Sequence, residues 1–434
     1  MRINLVAPSW SGPVALDGKA GRQPFPPLAL PVLAALTPPD VEVKLTDEAV
    51  EPVEICSDFD LVGITAMTAA APRAYEIAEA YRAIGVPVVM GGMHATALPE
   101  EAAQHADAVV IGEAEGVWDN VLADARQGRL REFYQREGQP SLVGLPKPRR
   151  DLLKKGAYIT TALVQTSRGC PYDCSFCSVT RFFGRTYRFR PVADVIDEVA
   201  DLRERILVFT DDNIFGQKEY ARELFTRLAG MGKRWLGQAS VTVGRDARLV
   251  AMAAKAGCRA LFVGFETLSA EGLRGLSKRV NLSQRFDEVI KRLHDHGIGV
   301  VGSFMFGLDD DDESAFDRTV EFVEKNKIDV LQMSILTPLP GTRLYDSLEK
   351  DGRIFDRDWS HYTGGRIVFK PHLMSPEFLQ TRYDQALRHI YSLGSIFRRL
   401  SRWNIEWPLF ARVNLIFRRR LTAYYRRLAF ARSL

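Results

Sequence analysis

The sequence predicts an α/β protein in two parts: an N-terminal Rossmann-like domain of flavodoxin type, then a partial (β/α)6 barrel of TIM type, with a small helical region at the C terminus. Three observations carry this reading. Short apolar runs alternate with helical patterns from residue 1 to about 125. Six further strand–helix units follow between residues 161 and 345. Three cysteines lie just past the first strand of that second series, where the strand ends of a barrel carry its chemistry.

In the first part, strands are expected at Ile3–Val6, Val41–Leu45, Leu61–Ile64, Val86–Met90 and Ala108–Ile111. Helices are expected at Leu28–Leu36, Arg73–Ile84, from Pro99, and at Val117–Arg126. Strands and helices alternating at this spacing make a parallel sheet with helices on both faces, and ligands bind such sheets beyond the carboxyl ends of the strands. The loops there are small and polar: Thr65-Ala66-Met67-Thr68, Gly91-Gly92-Met93-His94-Ala95-Thr96 and Gly112-Glu113-Ala114-Glu115. They read as the cradle of one ligand.

The boundaries follow from composition. Residues 1–130 form the first domain, and 131–160, without periodicity and containing Pro140, Pro146 and Pro148, read as a linker. The barrel covers 161–345, with strands at Thr161–Thr166, Ile206–Thr210, Trp235–Ala239, Ala260–Phe265, Gly299–Phe306 and Val330–Leu336. The helices between them include Val192–Arg203, Lys218–Met231, Ala247–Ala256, Ser283–His296 and Glu313–Lys325. A helix-rich extension covers 346–394, and a basic, aromatic tail covers 395–434.

Cys170, Cys174 and Cys177 fall within Cys170-Pro171-Tyr172-Asp173-Cys174-Ser175-Phe176-Cys177. A disulfide framework suits a short secreted chain, whereas this one has 434 residues, five cysteines and no leader at Met1, which implies a reducing, cytoplasmic setting. Zinc would need a fourth ligand, and no His or Cys stands near the three. Three thiolates one ligand short suit an iron–sulfur cluster with one open iron. Cys56 and Cys258 are single and read as core residues.

With this spacing and Phe176 before the last thiol, the sequence resembles the radical S-adenosylmethionine (SAM) superfamily. The resemblance implies a [4Fe–4S] cluster on Cys170, Cys174 and Cys177, with SAM chelating the fourth iron. The cluster, reduced by a donor such as flavodoxin or ferredoxin, cleaves SAM to methionine and a 5′-deoxyadenosyl radical. Asp211, Asp212 and Asn213 resemble acceptors for the SAM ammonium; the other reading is that Asp211 or Asp212 caps the next helix. Glu266 ends the fourth barrel strand where the family sets a carboxylate against the ribose, and Lys278 resembles a position near SAM, or is simply solvated.

Residues 1 to about 125 resemble the cobalamin-binding domain that precedes this barrel in a large group of anaerobic enzymes. The stretches that carry it are Pro27–Leu30, Val62–Thr68, Gly91–Glu100 and Ile111–Glu115. What the resemblance implies is cobalamin held by Thr65, Thr68, Gly91, Gly92, His94, Gly112 and Glu113. The Asp-x-His-x-x-Gly signature of methionine-synthase-type domains is absent: after the second strand the chain reads Asp47-Glu48-Ala49-Val50-Glu51-Pro52. His94 is then either a cobalt ligand or a hydrogen-bonded loop histidine.

The formal net charge is +4, but from Ser395 onward ten Arg stand against Glu406 alone. On a helical wheel Leu409, Val413, Phe417, Leu421, Tyr424 and Leu428 share one face, with Arg412, Arg418, Arg419 and Arg426 largely opposite. This fits peripheral contact with the inner face of a membrane, or a helix packing its apolar stripe on the barrel. No RNA-binding motif accompanies the basic residues, so no nucleic-acid partner is expected. Together these readings point to a cobalamin-dependent radical SAM C-methyltransferase acting on an unactivated carbon of a lipophilic substrate. The alternatives are a radical cyclase, hydratase or rearrangement enzyme of the same build, and a noncatalytic cobalamin sensor.

Overall fold

The computed structural model describes residues 1–10, 22–402 and 407–431, the last five of these as backbone alone. Glu406 and the side chain of Leu428, both named in the tail reading, lie outside the described residues.

The N-terminal sheet has strands β1 (Arg2–Ala7), β2 (Glu42–Asp47), β3 (Leu61–Thr65), β4 (Val88–Gly91), β5 (Ala108–Ile111) and β6 (Phe133–Gln135). They pair in the order β2-β1-β3-β4-β5-β6, all parallel. The order reverses between β1 and β3, and that switch point opens a crevice at the strand ends. Ile3, Leu5, Leu61 and Val89 pack one face of the sheet, and Val6, Val62, Ile64, Val88 and Met90 the other. This is why the strands read as unbroken apolar runs instead of alternating ones.

The stretch read as a linker is more structured than its composition suggests. Phe133–Gln135 adds a parallel edge strand, too short to show a period. Farther on, Gln23 exchanges backbone hydrogen bonds with Ala157 and Ile159, both 2.8 Å, and the Tyr158 hydroxyl donates to Asp47 at 2.9 Å. The segment thus folds back across the first domain before entering the second.

The second sheet follows. Its strands are β7 (Leu163–Val164), β10 (Ile206–Phe209), β11 (Arg234–Ser240), β12 (Cys258–Glu266), β13 (Gly299–Phe306) and β14 (Val330–Ile335), in that spatial order and all parallel. The intervening β8 (Ser167–Gly169) and β9 (Tyr187–Phe189) form a separate antiparallel ribbon, which the sequence did not suggest. Each outer helix buries one stripe. Phe286–Asp295 turns Val289, Ile290 and Leu293 inward, and Lys218–Leu228 turns in Ala221, Leu224, Phe225 and Leu228.

The open barrel edge at β14 is covered by the helix Trp407–Ala431. Its inward line is Phe410, Asn414, Phe417, Leu421 and Tyr425, which shares Phe417 and Leu421 with the stripe read on the wheel. Asn414, fully buried, donates to the Asp329 carbonyl at 2.9 Å and accepts from Arg399 at 2.8 Å, which fixes the register. The tail's inward face is therefore spent on the barrel, the second of the two readings of its apolar stripe. Among the described residues no helix is long and apolar enough to cross a membrane.

A Cβ on Gly299 would lie 2.0 Å from Phe410 Cζ, beneath this helix. We expect Gly299→Ala to cost about 1–3 kcal/mol through overpacking, seen as a lower Tm and faster proteolysis of the tail.

Candidate active site

The three-thiol loop is suspended from the β8–β9 ribbon. Gly169, the last residue of β8, has φ +88°, and a Cβ there would meet the Thr186 carbonyl oxygen at 2.0 Å, so only glycine fits the turn into Cys170. Asp211 anchors the other end of the ribbon. Its carboxylate accepts from the Thr166 amide (3.1 Å), the Thr166 hydroxyl (2.7 Å) and the Ser167 hydroxyl (2.5 Å). Farther along, the Ser175 amide donates to the Leu276 carbonyl at 3.0 Å, and Arg343 donates to the Asp173 carbonyl at 2.6 Å. Cys177 immediately precedes the helix Ser178–Phe183.

Burial pushes the thiol of Cys170 up to about 11 and that of Cys174 up to about 12, with Cys177 raised as well. A metal binding to these thiols must therefore displace their protons. Among the described residues no three His, Cys, Asp or Glu side chains are arranged to hold a single metal ion. A lone zinc needs donors gathered within about 2.3 Å of one point, whereas a four-iron cluster takes thiolates set around a larger body.

Neither Asp211 nor Asp212 caps the following helix; Gln217 does, accepting from the Tyr220 amide. Asp211 is spent on the ribbon. Asp212 has its carboxyl pushed up to about 7 by burial and by Asp211. Asn213 is buried, accepts from the Ser240 amide at 3.3 Å, and leaves its Nδ2 without a partner. That buried, unsatisfied donor is a place for an acceptor on a ligand.

Glu266 sits at a bulge in the β12–β13 pairing with φ +69°, a left-handed conformation costly for a non-glycine residue. Its carboxylate is bonded to the ammonium of Lys278, and both side chains are buried. The pair fills the place where a Cβ on Gly264 would stand, 2.2 Å from Glu266 Oε1. Lys278 is thus not a solvated lysine. Burial works against its charge, but Glu266 and the neighbouring thiol of Cys174 outweigh it and raise its pKa. Its Nζ lies 5.9 Å from the centroid of the Phe176 ring.

Across from this loop, the first domain opens an apolar cleft. Leu5, Leu30, Leu33, Val89, Val110 and Trp118 make it apolar, and Thr65, Gly91, Gly92, Gly112 and Glu113 rim it. Gly112, at φ +83°, has nothing within 4 Å of a notional Cβ, so its backbone stands open to a ligand. A large cofactor with an apolar body fits this space. Gln165, Arg168, Phe182 and Phe183 of the second domain close it.

Two expected contacts lie elsewhere. Thr68 and His94 do not line the cleft. His94 is fully buried, its Nε2 2.9 Å from the Tyr75 hydroxyl and 3.3 Å from Glu101, which also accepts from Trp359 at 2.8 Å. The histidine ties the first domain to the C-terminal extension and leaves the cleft to its glycine neighbours. Glu113 reaches across the domain boundary: Arg168 bonds it and also Glu115, the latter at 2.6 Å, while Arg188 bonds Glu113 from the other side. Two Glu in a small-residue loop are the network's one trace in the sequence.

Three thiols on a ribbon just beyond the first barrel strand, with an apolar cleft at the switch point of the neighbouring α/β domain, define an iron–sulfur enzyme with a second cofactor. Comparison with known proteins makes this specific. Residues 164–323 match the radical SAM superfamily, 20–122 the B12 binding domain, and 342–413 a domain of unknown function, DUF4070. The chain is 30% identical over 411 residues to the bacteriochlorophyllide d C-12(1)-methyltransferase of Chlorobaculum tepidum, covering 91% of this chain and 89% of that one. It is 26% identical to the hopanoid C-2 methylase of Rhodopseudomonas palustris (90% and 80% covered). It is 27% identical to the anaerobic magnesium-protoporphyrin IX monomethyl ester cyclase of Rubrivivax gelatinosus (76% and 66%). Its fold matches that of the radical SAM methyltransferase TsrM of Kitasatospora setae, solved with cobalamin and a [4Fe–4S] cluster, at a TM-score of 0.70 and 15% identity over 98% of this chain and 99% of that one. The chain belongs to the cobalamin-binding radical SAM enzymes. Its cofactors are a [4Fe–4S] cluster, SAM and cobalamin.

Proposed function

We propose that the chain is a C-methyltransferase acting on an unactivated carbon of a lipophilic small molecule. The observation that carries this reading is a single element. The helix Ser178–Phe183 begins at Cys177 and ends with Phe182 and Phe183 in the wall of the apolar cleft. Six residues of helix rise about 9 Å, so one rigid turn and a half joins a cluster ligand to the second cofactor's wall. When bound, the cluster and SAM supply a carbon-centred radical generator, and cobalamin supplies a methyl group.

Each side chain then has a task. Cys170, Cys174 and Cys177 hold the iron. Asn213 offers its free Nδ2 to SAM, and Asp212 stands beside it as an acceptor. Glu266, paired with Lys278, is placed for the ribose hydroxyls. Thr65, Gly91, Gly92 and Gly112 let the corrin approach the backbone. Thr68 and His94 support those loops from behind.

The lipophilic substrate is supported by relatives named for a bacteriochlorophyllide and a hopanoid. The tail, its inward face occupied, supports it less than the sequence alone suggested. Membrane contact would rest on the exposed Arg412, Leu415, Arg419 and Arg426 and on Phe397, which is 74% exposed. A one-electron donor such as a flavodoxin or ferredoxin completes the set of partners.

The second reading, a radical cyclase, is favoured by the similarity to the anaerobic cyclase. The products separate the two. With an accepted substrate, methyl transfer releases S-adenosylhomocysteine together with 5′-deoxyadenosine. Accumulation of 5′-deoxyadenosine alone, with a substrate converted, would overturn the methyltransferase reading.

A further inference from the structure

We propose that Arg168 is a positioning residue that clamps the rim of the cobalamin cleft to the root of the three-thiol loop, holding the two cofactor sites at one fixed separation. The inference rests on the function proposed above.

The place of the residue makes the case. Arg168 is the middle residue of β8, two positions before Cys170, and its side chain crosses to the loop after β5. One guanidinium nitrogen binds Glu113 and the other binds Glu115. The Nε donates to Gln165 at 2.9 Å, so three directions of the planar group are fixed. Arg188, paired with Arg168 across the ribbon, holds Glu113 from the far side and donates to the Pro140 carbonyl at 2.6 Å. Glu113 directly follows Gly112, whose open backbone faces the cleft.

Burying these charges is a poor way merely to glue two domains. Apolar side chains of similar size hold a contact at least as well. The domains are also joined elsewhere, through Tyr158 to Asp47 at 2.9 Å and Trp359 to Glu101 at 2.8 Å. What a forked, fully bonded guanidinium adds is direction. It ties the strand that leads to Cys170 to the loop that lines the cleft, so neither site moves without the other. Removing it leaves the domains attached but lets the cleft rim drift against the thiol loop.

The test uses the full chain loaded with cluster, cobalamin and SAM, with no further substrate. Two rates are read: transfer of the labelled SAM methyl to bound cobalamin, with S-adenosylhomocysteine as the other product, and release of 5′-deoxyadenosine under reduction. The first depends on the separation of the two sites, the second on the thiol loop and SAM alone. Arg168→Met should lower the first about tenfold more than the second, as loss of an orienting outer-shell contact does. Arg168→Lys, which can serve only one carboxylate at a time, should fall between.

The same samples give a spectroscopic readout. In the wild type the reduced cluster should alter the electron-spin relaxation of the cobalt(II) form of bound cobalamin by one discrete amount, and Arg168→Met should weaken or spread that effect. Equal falls in both rates with unaltered relaxation would overturn the clamp, as would no fall in either. Should Arg168→Met not fold, Arg168→Lys and Arg188→Met are scored in the same way. A wild type that never methylates cobalamin counts against the proposed function, and the relaxation measurement then decides the clamp by itself.

Discussion

Cys174→Ala should lose SAM cleavage by roughly a thousandfold or more, with iron uptake on anaerobic reconstitution falling in parallel. The loop supplies three free thiols as the protein ligands of the cluster. Removing one leaves two, and a cluster so held is lost to solvent. The fold should survive, because Cys174 lies outside the buried core and the loop is held through the Ser175 amide and the Asp173 carbonyl, which the substitution leaves in place. The measurements are iron content, 5′-deoxyadenosine release and the thermal transition. Near-normal iron with retained cleavage would contradict the assignment of the three thiols.

Gly169→Ala should be nearly as damaging, although it removes no ligand. The left-handed backbone alone costs a non-glycine residue about 1–3 kcal/mol. The added Cβ would also stand 2.0 Å from the Thr186 carbonyl oxygen, which is backbone and has no rotamer to escape into. The β8–β9 ribbon must part at the point where it presents Cys170. We expect iron uptake to fall about tenfold, the scale on which misplaced outer-shell groups act, with a lowered Tm but an intact far-ultraviolet circular dichroism spectrum. Unchanged iron content and Tm would show that the ribbon does not position the loop.

Much of this architecture was legible in the sequence because parallel α/β units are periodic and long. The strand Gly299–Phe306 and the helix cores could be read directly from apolar runs and stripes. The thiol loop was legible because its spacing is chemically specific. What escaped was short or polar. The strands Ser167–Gly169 and Tyr187–Phe189 have three residues each, too few for alternation to show. The apolar stripe of the tail does not show that Asn414, a polar residue, helps to dock it. Glu113 borders the cleft, but a carboxylate in a glycine loop gives no hint of its arginine partner 55 residues further along the chain. Of the two readings of His94, the structure shows the hydrogen-bonded one, whose partners Tyr75 and Glu101 come from separate elements. Neither Lys278 nor Glu266 reveals, on its own, that the two neutralise each other.

The central claim is that both cofactor sites serve one methyl transfer. The most direct measurement is to incubate the anaerobically reconstituted full chain and a reductant with SAM carrying a labelled methyl group and with extracted tetrapyrroles and polycyclic lipids, then to trace the label by mass. The account predicts a product heavier by one labelled methyl, formed alongside both S-adenosylhomocysteine and 5′-deoxyadenosine, and absent with Cys174→Ala. A converted substrate that carries no label, with 5′-deoxyadenosine as the only nucleoside product, would contradict it.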